Sequence, residues 1–231
     1  PHHNRRTDEW GGSAERRRRF LMAVLAEIRH RVGPHFPVGI KLNSADFQRG
    51  GFNEEESMAA ILALAEAGID MVEISGGTYE APAMTGSEEV KDSTRQREAY
   101  FIAFAEQVRR RTSVPLLVTG GFRTHAGMDE ALQSGALDFV GLGRLLALDP
   151  ATPLQLLQGR DPLQQVSPRL TGIGYIDRTS MMEIIWYSHQ LMRIARTGHA
   201  KPQESVLKVC LSYIVGNFLK GQIGLPKWRA S

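Results

Sequence analysis

Two apolar runs end in glycine, and one of them passes straight into a cation. Val114–Gly121 reads VPLLVTGG, and Phe139–Pro150 reads FVGLGRLLALDP. Glycine admits positive φ and lets main-chain N–H groups come close to a ligand, so a glycine turn can hold an anion without any side chain. An arginine directly after such a turn adds a permanent charge whose planar fork matches phosphate oxygens. Alone, Gly-Leu-Gly-Arg fits a plain tight turn better than a phosphate site, with Arg144 capping carbonyls or pairing with an acid. It is a poor dinucleotide fingerprint, because no ribose-binding acid follows on a later strand. The pair of turns, Gly120–Gly121 and Gly143–Arg144, favours a ligand that contains phosphate.

Lys41 ends the apolar run FPVGIKL, Phe36 to Leu42. A cation there either stabilises negative charge developing on a ligand or extends its stem to reach water. The other reactive side chains form no constellation. His2 and His3 are contiguous, and His30 and His35 flank a helix end, so no metal spacing is present. The serines lack a nucleophile-elbow setting and no carboxylate pair stands out, so the residues by themselves assign no catalytic group and no metal.

These side chains must be carried by alternating helical stripes and short apolar runs. Strands are expected at about 36–42, 69–75, 114–119 and 137–142, the first of them buried on both sides. After the capping candidate Ser13, the residues Phe20, Leu21, Val24, Leu25, Ile28 and Val32 share one helical face. A second helix carries Met58, Ile61, Leu62 and Leu64 and ends at Gly68. A third carries Tyr100, Phe101, Phe104 and Val108, and a short fourth around Met128, Ala131 and Leu132 stops at Gly135. Strand and helix in alternation imply parallel strands joined by right-handed crossovers, with ligands beyond the strands' carboxyl ends. Those ends read Lys41-Leu42-Asn43, Ser75-Gly76-Gly77, Thr119-Gly120-Gly121 and Gly141-Leu142-Gly143-Arg144. The organisation expected is α/β, a single domain over 1–231, with a C-terminal helical extension over about 179–231 that includes an amphipathic helix from Met181 to Arg196.

The composition is ordinary for a globular protein: 231 residues, net charge +3 and one cysteine. A lone Cys210 rules out an internal disulfide framework and reads as a small apolar residue. Arg16 to Arg19 sit inside a helical pattern without interleaved aromatics, which describes a solvated face and no nucleic-acid partner. No run reaches the roughly 20 apolar residues of a membrane span. The polar start is not a signal peptide, and the expected location is the cytoplasm.

Taken in order, NRRTDEWGGSAERRRRF, VGIKLNSADFQRGGF, VEISGGTYEAP, LLVTGGFRT and FVGLGRLLALDP resemble the C-terminal half of the Old Yellow Enzyme family of NAD(P)H:flavin oxidoreductases. The likeness runs from Asn4 to about Arg196, and the combination of motifs is far more specific than any one piece. It implies a (β/α)8 TIM barrel holding FMN at its C-terminal mouth, with hydride passing from NADH or NADPH to a small-molecule activated alkene such as an enone. By the same resemblance Gly120, Gly121, Gly143 and Arg144 match the FMN-phosphate site. Lys41 matches the basic residue near the flavin N1 and C2 oxygen, and Tyr79 is a candidate for the substrate rim. The family's substrate-binding His/Asn residues and its proton-donating tyrosine lie ahead of Asn4. The chain begins at Pro1, so it is expected to be half a barrel, incomplete as a catalyst, with no catalytic residue of its own. Two other outcomes stand beside this: a non-redox barrel enzyme that binds a phosphorylated substrate, and a non-catalytic half barrel assembling with itself or another chain.

Overall fold

The computed structural model describes residues 3–46, 49–76, 101–179 and 182–222. The chain divides into two compact units, Pro1–Leu142 and Gly143–Ser231.

The first unit is built on four parallel strands, β1 (Gly39–Asn43), β2 (Met71–Ser75), β3 (Leu116–Thr119) and β4 (Phe139–Gly141), adjacent in the order of the chain. Helices α1 (Ala14–Val32), α2 (Glu54–Glu66), α3 (described over 101–109) and α4 (His125–Gln133) alternate with them. This is the α/β arrangement expected of part of a barrel. Ser13 caps α1 by accepting the Arg16 N–H. Asn53 does the same for α2 with Glu56, and Thr124 for α4 with Gly127. Gly68 and Gly135 terminate α2 and α4 with φ of 80° and 71°, a conformation any Cβ would penalise.

Successive strand residues point to two faces, and burial in β2 and β3 follows that alternation except at the end of β2, where Ile74 and Ser75 are both buried. Val72, Ile74, Leu116 and Val118 are fully buried, as are Ile61 and Leu64 of α2 and Ala105 and Val108 of α3. The other face carries Lys41, Met71, Glu73, Leu117, Thr119 and Phe139, none of them buried. The first strand is therefore not buried on both sides, contrary to the expectation from its composition. It also starts at Gly39 rather than Phe36, because Pro37 has no N–H for a ladder and Phe36 is exposed. On α1 only Leu25 of the apolar stripe is buried, while Phe20, Val24, Ile28 and Val32 remain exposed.

One device recurs at the amino ends of the strands. Asp70, just before β2, accepts the Val38 N–H at 2.6 Å and an N–H from Arg29 of α1. Asp138, just before β4, accepts the Leu116 N–H at 2.7 Å and an N–H from Arg109 of α3. Each aspartate thus ties a strand to its neighbour and to a covering helix.

The second unit is helical: α5 (Arg144–Leu148), α6 (Thr152–Leu157), α7 (Gly174–Thr179), α8 (Met182–Thr197) and α9 (Val206–Gln222). Its core joins Ala147 and Leu148 of α5 to Trp186 and Tyr187 of α8 and Val209 of α9. Trp186 is fully buried and donates its indole N–H to the Glu204 carbonyl at 3.0 Å. Gln190 is equally buried, accepting the Lys201 N–H at 2.7 Å and donating to Glu204. Gly198 ends α8, and Cys210 is a buried free thiol.

Candidate functional site

In the first unit the open sheet face carries a row of polar groups that crosses β1, β2 and β3 and ends against Gly141 of β4. Lys41 on β1 stands opposite Glu73 on β2 in the ladder, and its ammonium is paired with the Glu73 carboxylate. The same carboxylate oxygen accepts the Thr119 hydroxyl of β3 at 2.5 Å. Thr119 lies opposite Gly141 of β4, where a built Cβ would stand 1.9 Å from the Thr119 hydroxyl oxygen. Burial alone would push the Glu73 carboxyl up, but the Lys41 and Thr119 donors hold it below the usual carboxylate range. Lys41 is about half exposed, so its cation sits at the surface of this face and is partly neutralised there.

Directly after β3 the chain turns through Gly120 and Gly121 with φ of 124° and 91°, a region that L side chains rarely adopt. Because β3 and β4 are parallel and in register at Thr119 and Gly141, both strands present their carboxyl ends on the same side of the sheet.

In the second unit Gly143 precedes α5 with φ of −119°, and a Cβ built on it meets nothing within 4 Å. Arg144, the first residue of α5, pairs through one terminal nitrogen with Glu183 of α8 at 3.4 Å. The other Glu183 oxygen accepts the Arg169 N–H at 3.4 Å. The Arg169 guanidinium stacks on Trp186 at 4.1 Å and donates to the Pro202 carbonyl at 3.1 Å. Arg144 keeps 29% of its side chain exposed, so the pairing does not seal it in a packed interior. Burial raises the Tyr187 phenol, an effect offset in part by Arg169 and Arg144.

Of the residues singled out from sequence, Lys41, Gly120 and Gly121 lie in the first unit and Gly143 and Arg144 in the second. Tyr79 lies outside the described residues. The glycines flanking Leu142 have different physical reasons: Gly141 makes room for Thr119, whereas Gly143 borders open space. Glu73, Thr119 and Glu183 escaped the sequence analysis. Glu73 had a visible signal, an acid between Val72 and Ile74 in an otherwise apolar strand. Glu183 had none, because its partner Arg144 lies 39 residues away and helical periodicity does not say what an acid on such a helix pairs with. Among the described residues no cluster of His, Cys, Asp and Glu could hold a metal ion, and no helix is long and apolar enough to cross a membrane.

Comparison with known proteins places these features in a family context. The family described as NADH:flavin oxidoreductase / NADH oxidase matches residues 1–162. The NADH-dependent flavin oxidoreductase iliE of Neonectria sp. (strain DH2) is 38% identical over 178 residues, covering 74% of this chain and 22% of its own. The cinnamate reductase of Clostridium sporogenes is 28% identical, over 73% of this chain and 26% of its own. Among solved structures, a complex of 2-naphthoyl-CoA reductase with 2-naphthoyl-CoA superposes with a TM-score of 0.60 at 30% identity, covering 68% of this chain and 23% of that one. The chain thus spans about a quarter of the length of each of these proteins.

Proposed function

Because the chain belongs to the NADH:flavin oxidoreductase / NADH oxidase family, we propose that it supplies the FMN-binding part of a (β/α)8 barrel in an NADH-dependent reductase of activated alkenes. The glycine turn at the carboxyl end of β3, with positive φ at both Gly120 and Gly121, carries this proposal. Main-chain N–H groups at Gly120 and Gly121 suit phosphate oxygens, since nothing but backbone stands at those positions. In the second unit, taken by itself, Gly143 borders open space and Arg144 keeps guanidinium nitrogens that are not turned to Glu183, which suits an anion. Lys41 presents positive charge to the flavin ring, where it favours the anionic reduced form. FMN bound there would supply two-electron redox chemistry between NADH and the alkene.

The cinnamate reductase relative points to an alkene conjugated to a carboxyl or carbonyl group. Fluorescence titration with FMN and with riboflavin, which lacks the phosphate, provides the test. FMN should bind more tightly, and Arg144→Ala should weaken FMN by roughly 10- to 100-fold, the value of a charge-assisted hydrogen bond, while leaving riboflavin unchanged. Equal affinities for the two flavins would rule out the phosphate site. Oxidation of NADH on addition of cinnamate tests the acceptor class.

A further inference from the structure

The row of groups that crosses the open sheet face has an order that sequence spacing does not show. The missing Cβ at Gly141 lets the Thr119 hydroxyl sit at that position on the face. Thr119 donates to Glu73, and Glu73 pairs with Lys41. Lys41 is a long, flexible cation on an exposed surface, and an isolated ammonium in that setting would sweep a wide volume of solvent. Glu73 is the better fixed partner, less than one quarter of its side chain being exposed and its carboxylate held from β3 as well as from β1. We propose that Glu73, held by Thr119, is the positioning residue for Lys41, fixing where its charge lies and how much of it remains uncompensated at the sheet face. This rests on the proposal that Lys41 faces the flavin, and it adds two residues, Glu73 and Thr119, to that function.

The physical consequence is a graded electrostatic setting. With Glu73 ionised, the Lys41 and Glu73 charges largely cancel at a distance, and only a short-range positive tip is presented on the open face. Replacing Glu73 by its neutral isostere leaves a full uncompensated cation and also releases it to move. Anionic reduced flavin should then gain stability relative to the oxidised form, because added positive charge favours added negative charge.

The test uses the full chain with FMN bound and the variants Lys41→Met, Glu73→Gln and Thr119→Val. The midpoint potential of the flavin should fall in Lys41→Met and rise in Glu73→Gln. A fall in Lys41→Met with no change in Glu73→Gln would overturn the role of Glu73 while leaving Lys41 beside the flavin. No change in Lys41→Met would overturn the placement of Lys41 itself. A second measurement needs no flavin: carbon-13 NMR titration of the Glu73 carboxyl. Its pKa should move up toward the ordinary carboxylate value in Thr119→Val and in Lys41→Met. If neither substitution alters the Glu73 titration, neither group holds Glu73 and the inference fails, whatever the flavin result.

Discussion

At the residue scale, glycine at the end of β4 illustrates how one residue type serves two purposes a short distance apart. Gly141→Ala would place a methyl 1.9 Å from the Thr119 hydroxyl oxygen and 2.7 Å from a Leu117 methyl. The strand or the threonine must shift, so this change should cost about 1–3 kcal/mol of stability, typical of overpacking. Because Thr119 also holds Glu73, the same change should raise the Glu73 pKa. Gly143→Ala meets no atom within 4 Å at a negative φ. Its effect on stability should stay within about 0.5 kcal/mol, and any weakening should appear in FMN affinity instead. Urea unfolding of the two variants separates these outcomes, and equal losses would contradict the distinction. The sequence shows both glycines but not which of them is structural, since that depends on a side chain one strand away. In the same way Lys41 stands out in the sequence as a cation in an apolar strand, whereas its partner becomes visible only through the β1–β2 register.

At the element scale, the parallel sheet and its helices follow legibly from the sequence because each unit carries its own punctuation. Ser13 opens α1, Gly68 and Gly135 close α2 and α4, and Gly198 closes α8, all where the apolar periodicity begins or stops. Strand boundaries were less legible: apolar residues such as Phe36 and Pro37 extend a hydrophobic run beyond the point where hydrogen bonding starts. Face assignment failed at β1 because an apolar composition alone does not say whether a second layer covers the strand. The aspartates before β2 and β4 tie each strand to its neighbour and to a covering helix. Asp70 is held below its ordinary pKa, chiefly by the Val38 N–H and then by Arg29. A carboxyl lowered in the folded state contributes stability that is present above the unfolded pKa and lost as pH falls through the folded value. Removing it should therefore flatten part of the acid limb: in Asp70→Asn, the loss of stability on going from pH 5 to pH 3 should be smaller than in the parent chain. Chemical unfolding at a series of pH values gives the slopes, and identical slopes would show that Asp70 is not ion-linked to folding.

At the scale of the whole molecule, the first unit has a helix-covered face and a face left open, and the two should respond differently to substitution. Ile74 is fully buried, so Ile74→Ala should cost about 2–5 kcal/mol through lost burial and a residual cavity. Phe139 belongs to the open face and is half exposed, so Phe139→Lys gives up only part of the ring's burial and should cost about 1 kcal/mol, less than Ile74→Ala. Its main effect should be on association. Phe139 stands on β4, which is an outer strand of the described sheet, as is β1, so each has a paired neighbour on one side only. Exposed apolar groups beside unpaired strand edges favour contact between copies, and a lysine on such a strand opposes it through charge and solvation. Sedimentation velocity across a concentration series should show the parent chain associating and Phe139→Lys remaining smaller at equal concentration. A large loss of stability in Phe139→Lys would mean that this side chain is packed rather than open. Unchanged association would place the contact between copies on some other surface, with the exposed Phe20–Val24–Ile28 stripe of α1 the next to substitute.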